Sequence, residues 1–320
     1  MIAKRIYSLL LTLCLLAGGI LVPSASAQAE DDIQVFVDNA PVFFDQAPII
    51  DNGRTLVPLR AVIEAFGARV VWYPEDQVVA AQAEDTIILL LIGDTIAYTG
   101  NAGDSNVDHL TEITLDTPAK IVEGRTLVPL RFIAEAFSCR VSWKEASRTI
   151  SITTLNKLEE NKVNITIEMQ DGGKIKAELY PDIAPITVAN FEKLINEHFF
   201  DGLIFHRVIS GFMIQGGGFN EKLEQKQADS IKGEFASNGV ENPLRHTRGV
   251  LSMARTMIRD SASSQFFIMH QDAPHLDGEY AAFGKVTEGM DVVDNIASSA
   301  TNAQDMPVTP QVIKTITIDE

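Results

Sequence analysis

The spacing of apolar residues changes along this chain, and the changes divide it. From Val163, apolar Val163, Ile165, Ile167 and Met169 alternate with polar neighbours, Asp171-Gly172-Gly173 interrupts, and Ile175, Ala177 and Leu179 alternate again. That is the pattern of a β-hairpin with one buried face. Behind Pro185 the period becomes helical: Val188, Phe191, Leu194, Ile195 and Phe199 share a face, and Val292, Val293 and Ile296 repeat the pattern within Met290 to Ala300. With the remaining short strands, the last at Ile316-Thr317-Ile318, this predicts a closed antiparallel β-barrel capped by two helices.

Upstream, the chain matches itself. Gly53-Arg-Thr-Leu-Val-Pro-Leu-Arg60 returns as Gly124 to Arg131, a shift of 71 residues, and 14 of the 20 positions from Gly53 to Trp72 are identical to their counterparts up to Trp143. Such self-similarity marks a repeated supersecondary unit. Pro58 and Pro129 suit the first turn of a helix, where a missing N–H is no loss. Leu59, Val62, Ile63 and Phe66 then fall on one face, as do Leu130, Ile133, Ala134 and Phe137. Gly67 suits the end of the first helix. Ile33 to Val37, Arg69 to Trp72 and Ile87 to Ile92 read as strands, so each copy is a short helix against antiparallel strands, an α+β unit. Cys139 aligns with Ala68 and is expected as a small buried residue.

Composition refines this division. The chain of 320 residues is long enough for several domains. Its start carries Lys4 and Arg5, an apolar run from Ile6 to Val22, and Pro23-Ser-Ala-Ser-Ala27. This is the form of an export signal cleaved after Ala27, and the run, broken by Gly18-Gly19, is shorter than the ~20 residues that span a bilayer. Cleavage leaves 24 basic and 43 acidic residues, a formal charge of −19. Nucleic acid and anionic lipid surfaces repel such a chain, so neither is an expected partner of the mature, secreted or cell-surface protein. Cys139 then has no partner for an intramolecular disulfide. The expected boundaries are a signal peptide over 1–27, the repeated domain over 32–154, a polar linker over 155–162 and the barrel domain over 163–320.

Chemistry concentrates in the barrel half. Phe205-His-Arg-Val-Ile-Ser-Gly-Phe-Met-Ile-Gln-Gly-Gly217 is followed by His246-Thr-Arg-Gly-Val-Leu-Ser-Met-Ala-Arg255, by Ser264-Gln-Phe-Phe-Ile268, and by Leu276-Asp-Gly278 with Phe283-Gly-Lys-Val286. No P-loop lysine follows Gly216 to Gly218, which argues against phosphate binding, and the scattered histidines lack metal-ligand spacing. Four motifs in this order over about 80 residues are far more specific than one short pattern. Together they resemble the cyclophilins, peptidyl-prolyl cis-trans isomerases that need neither cofactor nor metal.

The resemblance implies a role for each matched position. Arg207 would donate a hydrogen bond to the twisting amide nitrogen, and Gln215 would contact both Arg207 and the substrate backbone. Phe212, Met213, Phe267 and Leu276 would grip the proline ring, and backbone groups of Ala254 and Arg255 would hold the peptide on its other side. His206, Gln265 and Tyr280 would line the same groove. The implied partners are proline-containing polypeptides. Ser210 stands where the family has proline, His275 where many eukaryotic members have tryptophan, Tyr280 where they have histidine, and Arg255 where many relatives have asparagine.

The repeated half resembles the copper amine oxidase N-terminal-like, or stalk, domain over about Asp32 to Thr154. Copper in such oxidases sits on three histidines, and this segment holds only His109, so no copper site is expected. The recurring Arg54, Arg60, Arg125 and Arg131 have two readings: contact with an acidic cell-envelope polymer, or bracing of loops. Two functions stay open on the sequence, an exported isomerase and a non-catalytic surface protein that only holds proline peptides or envelope polymer.

Overall fold

The computed structural model describes residues 33–83, 86–104 and 106–319, so the expected signal peptide and its cleavage after Ala27 lie outside the described residues. Two compact units divide between Thr154 and Leu155.

The first unit contains β1 (Gln34–Val37), β2 (Ala40–Val42), β3 (Ile49–Asp51), β4 (Arg54–Pro58), α1 (Leu59–Ala65), β5 (Arg69–Tyr73), β6 (Val78–Ala83) and β7 (Thr86–Leu91). It continues with β8 (Ile96–Asn101), β9 (Thr111–Thr114), β10 (Lys120–Val122), β11 (Arg125–Pro129), α2 (Leu130–Ala136), β12 (Arg140–Lys144) and β13 (Thr149–Thr153). They form three sheets, in the orders β12-β13-β1-β2, β10-β11-β4-β3 and β5 to β9 as a meander. Both prolines sit at the helix N-caps, as the last residues of β4 and β11, one position before the expected first turn. Gly67 adopts a positive φ of 72° just past α1, where a side chain would be strained.

The two matching segments face each other. In the antiparallel pair β4–β11, Val57 lies opposite Val128, its own counterpart at the 71-residue shift. Phe66 meets its counterpart Phe137 edge to face at 6.0 Å. Arg54 donates to Asp116 at 2.7 Å, and Arg125 donates to Asp45 at 2.6 Å, a reciprocal exchange between the copies. Arg54 and Arg125 therefore brace loops. Arg60 and Arg131 are exposed and, among the described residues, make no ion pair. One expectation is corrected: β1 and β13 run parallel, because they are the first and last strands of the unit and no hairpin ties them. Cys139 and Ala68 are both buried in the core of this unit.

The second unit opens with α3 (Leu155–Glu159), followed by β14 (Val163–Met169), β15 (Lys174–Leu179), α4 (Pro185–Asn196), β16 (Leu203–Ile209), β17 (Met213–Asn220) and β18 (Val250–Met253). Then come β19 (Phe266–Met269), β20 (Ala282–Glu288), α5 (Met290–Ala297) and β21 (Gln311–Ile318). Eight strands close a barrel in the order β14-β15-β20-β18-β19-β17-β16-β21. Every neighbouring pair is antiparallel. Within the expected linker over 155–162, Leu155–Glu159 is helical, and Leu158 is buried in an apolar cluster with Tyr180 and Ile183.

Period-two alternation fills the interior with Ile165, Ile167, Ile175, Leu179, Ile214, Leu251, Phe266, Ile268 and Phe283. Phe191 of α4 closes it, with Phe200, Phe266 and Phe283 at centroid distances of 4.9, 5.2 and 5.1 Å. Buried Glu234 accepts hydrogen bonds from the Ile186 and Thr187 amides, satisfying orphan donors at the start of α4 that no N-cap side chain reaches. The helix stops at Asn196, before Phe199, because His198 turns to a positive φ of 52°; Phe199 is buried all the same. Likewise α5 ends at Ala297, short of Ala300.

Phe191→Ala should lower the unfolding free energy of the barrel unit by about 3–5 kcal/mol, the range for deleting a buried aromatic ring. Urea unfolding by circular dichroism reads it. Tryptophan fluorescence, which reports Trp72 and Trp143 in the other unit, should keep its midpoint.

Candidate active site

A lateral row of residues crosses four strands of the barrel. Arg207 on β16 lies opposite Gln215 on β17, Gln215 opposite Phe267 on β19, and Phe267 opposite Ser252 on β18. Directly paired residues project from the same side of a sheet, so all four stand on one face. Their neighbours Ile214, Phe266, Ile268 and Leu251 point the other way, into the core. The row therefore lies on the outside of the barrel wall.

Arg207 reaches that face through an irregularity. The β16–β17 register shifts between Phe205 and Arg207, giving β16 one residue more than β17 there. Phe205 is wholly buried in the core, while the Arg207 side chain is 44% exposed. Two residues apart in a regular strand they would share a face; the bulge at His206 separates them. The strand opposite needs its glycines. A Cβ on Gly216 would come within 2.9 Å of Phe205, one on Gly217 within 2.7 Å of the Ser264 carbonyl oxygen, and one on Gly218 within 2.6 Å of Gln265. Close packing thus accounts for the triplet.

Around this row the structure gathers the expected apolar residues into one cluster separate from the barrel core. Met213, Phe267 and Leu276 are buried in it, and Phe212, Ala254 and Tyr280 pack against it half-buried. Phe212 stacks on His275 at 5.7 Å, and Tyr280 meets Phe267 edge-on at 6.0 Å. Gln265 and His206 stand at the margin, half-buried.

One expected contact is absent. The Gln215 carboxamide makes no hydrogen bond to Arg207 and donates instead to Gln265 Oε1 at 2.9 Å. The Ala254 N–H is already bound to the Gln265 carbonyl at 2.9 Å, which leaves the Ala254 carbonyl for a ligand. The side chain of Arg255, 10% exposed, turns away to donate to the Glu279 carbonyl at 2.8 and 3.0 Å while lying over the Tyr280 ring at 4.6 Å. Arg255 thereby fixes the loop that presents Tyr280.

One supporting residue was not singled out by its type or spacing. His246 is buried and stacks under Phe267 at 6.0 Å. Its Nδ1 lies 2.9 Å from Asp277 Oδ1 and its Nε2 2.9 Å from Ser252 Oγ. The carboxylate can only accept, so Nδ1 carries the proton and Nε2 accepts from the serine. The order Ser–His–Asp matches a nucleophilic triad in distances alone, because Ser252 is wholly buried. The trio is a polar pillar under the apolar floor. Its only sequence signal is that His246 opens the second motif.

The electrostatics of the groove are sparse. Arg207 Nε lies 3.7 Å from Asp305 Oδ2, an ion pair too long for a hydrogen bond, so its guanidinium N–H groups remain available. Burial pushes the His206 pKa below its ordinary value, against a weaker opposing effect of the Ile204 backbone and Gln265, and His206 Nδ1 has no hydrogen-bond partner. A neutral imidazole beside the row leaves Arg207 as its one cation. The cluster offers aromatic surface to an apolar ring, with one half-exposed guanidinium beside it, and the row supplies no nucleophile.

Comparison with known proteins bears on both units. The family described as "Cyclophilin type peptidyl-prolyl cis-trans isomerase/CLD" matches residues 164–318, and the "Copper amine oxidase N-terminal domain" matches residues 36–152. A peptidyl-prolyl cis-trans isomerase of Acinetobacter baylyi is 48% identical over 164 residues, covering 48% of this chain and 85% of that protein. Peptidyl-prolyl cis-trans isomerase B of Bacillus subtilis is 48% identical over 130 residues, covering 41% of this chain and 87% of that protein. A solved cyclophilin-type isomerase of Cryptosporidium parvum has a TM-score of 0.45 at 28% identity, covering 50% of this chain and 99% of that one.

Ser252→Ala should destabilise the barrel unit by about 1–3 kcal/mol, the cost of leaving buried His246 Nε2 unpaired. The urea midpoint measures it, and an unchanged midpoint would show that the pillar carries no weight.

Proposed function

Because the chain belongs to the cyclophilin-type peptidyl-prolyl cis-trans isomerase family and its C-terminal half is such an isomerase, we propose that Arg207 stabilises the twisted amide and that exported polypeptides are the substrates. The observation that carries the mechanism is the outward row of Arg207, Gln215 and Phe267 across adjoining strands.

The uncatalysed barrier of about 18–20 kcal/mol comes from the partial double bond between the carbonyl carbon and the proline nitrogen. As that bond twists, conjugation is lost and the nitrogen regains a lone pair. The proline ring enters between Phe212, Met213, Phe267 and Leu276, and the peptide on its other side is held by the Ala254 carbonyl. Gln215, anchored to Gln265 through its Nε2, keeps Oε1 as an acceptor for the substrate backbone or for Arg207. The guanidinium donates to the nitrogen lone pair, an interaction absent from the planar ground state and so specific to the transition state. No bond is made or broken. Shortening an exchange of tens of seconds to about a millisecond requires roughly 6–7 kcal/mol, within reach of a few preorganised donors and a dry pocket.

Export rests on the first 27 residues, with their basic start, apolar run and Ala25–Ala27 ending. The substrates on this reading are X-Pro segments of unfolded or flexible exported chains. In the N-terminal unit, Arg54 and Arg125 are engaged with Asp116 and Asp45. Contact with an acidic envelope polymer would therefore fall to exposed Arg60 and Arg131.

Exchange NMR of a short X-Pro peptide tests the mechanism. Arg207→Ala should cut the catalysed exchange rate by about 10²-fold or more, the scale of removing one transition-state donor, while peptide affinity changes only a few-fold. A variant that keeps more than half the wild-type rate would remove Arg207 from the mechanism. A wild-type protein that binds the peptide without accelerating exchange would make the groove a holder of proline segments.

A further inference from the structure

The turn that joins β16 to β17 carries Phe212, and its support comes from outside the groove. Phe212 N–H donates to the Ile209 carbonyl at 3.0 Å, and Gly211 has a φ of 78°. A turn closed from first to fourth residue, with positive φ at the third, favours proline at the second position to preset its backbone. Ser210 stands there, with no such restraint, and both Ser210 and Gly211 are exposed.

His270, the residue after β19, engages the turn twice. Its backbone N–H donates to the Phe212 carbonyl at 2.9 Å, and its Nδ1 accepts from the Gly211 N–H at 2.9 Å. Since Gly211 is the donor, Nδ1 presents its lone pair and the ring proton sits on Nε2. That nitrogen faces Asp294 Oδ1 on α5 at 3.3 Å, a buried oxygen with no hydrogen-bond partner of its own. The other carboxylate oxygen, Asp294 Oδ2, accepts from Arg248 Nη2 at 2.8 Å. Arg248 Nη1 in turn donates to the His270 carbonyl at 2.7 Å. The imidazole is thus held between a carboxylate–guanidinium pair on one side and an exposed turn on the other.

We propose that His270 is a positioning residue of the isomerase site: by accepting the Gly211 N–H, it holds the Ser210–Gly211 turn so that Phe212 keeps its place against His275 at the rim of the proline pocket. Asp294 and Arg248 act through it by fixing the imidazole's tautomer and rotation. The inference rests on the reading of Phe212 as a wall of that pocket. His270 does not touch the substrate, and its effect is transmitted through one backbone hydrogen bond.

The test uses the full mature chain and a short X-Pro peptide, with kcat and KM from exchange NMR and the wild-type rate as the control for the isomerase reading itself. Two variants are compared. His270→Leu removes the acceptor, and His270→Asn sets an amide oxygen where Nδ1 stands. His270→Leu should lower kcat/KM about tenfold, the scale expected when a pocket wall is displaced, and His270→Asn should recover it to within about threefold. In the wild type the Gly211 amide, though on an exposed residue, should exchange its hydrogen at least about tenfold more slowly than a free amide. A folded His270→Leu protein with wild-type kcat/KM overturns the proposal, as does His270→Asn being as slow as His270→Leu. If His270→Leu does not fold, the Gly211 amide decides: exchange at the free rate overturns the proposal, and protection together with near-wild-type His270→Asn upholds it.

Discussion

Phe205 and Arg207 stand two positions apart in one strand, yet one closes the barrel core and the other faces solvent. In a regular strand residues two apart share a face, so the chain can meet both requirements only by adding a residue between them. The bulge at His206 supplies it. The outward row depends on that local irregularity, because it brings Arg207 into line with Gln215 and Phe267 while Val208 returns to the core behind them. A twisted amide gains most from a donor already in place, since a donor that must first be ordered forfeits part of the stabilisation. Each strand of the row is hydrogen-bonded on both sides, which orders the backbone from which Arg207 projects.

The same alternation that fills the barrel also builds the groove. Ile214, Phe266 and Ile268 face inward, and their chain neighbours Met213, Phe267 and Met269 face outward into a second apolar cluster. An outward apolar residue on a barrel wall meets water unless other residues cover it. Here Leu244, Ala273, Leu276 and Tyr280 pack with that face in one apolar cluster. His246 supports it from below with both ring nitrogens paired, so the floor includes a polar element without an unsatisfied atom.

Much of this was legible in the residues. The hairpin from Val163, the helices behind Pro185 and at Met290, and the barrel class followed from changes of period, and the residues that cluster around the row stood in four ordered motifs. What escaped was geometry that one-dimensional patterns do not carry. A bulge leaves no mark on composition, so the re-aiming of Arg207 was invisible. The hydrogen-bond partners of Gln215 and Ala254 depend on Gln265, 50 and 11 residues away. The helix at Leu155–Glu159 hides in a polar stretch because only its two leucines, Leu155 and Leu158, pack on the apolar cluster. In the N-terminal unit the internal match announced two similar segments, but their facing arrangement, with Val57 against Val128 and arginine–aspartate pairs exchanged between copies, needed the structure. That exchange pairs two of the four recurring arginines with aspartates of the other copy.

The central claim is that a guanidinium fixed in position, rather than positive charge alone, lowers the barrier to X-Pro rotation. The most direct measurement is exchange NMR of an X-Pro peptide with Arg207→Lys, which keeps the charge and removes the planar fork of donors. The account predicts a catalysed rate at least about tenfold below wild type with peptide affinity nearly unchanged. A lysine variant that turns over peptide at the wild-type rate would contradict it, and would reduce the role of position 207 to its charge.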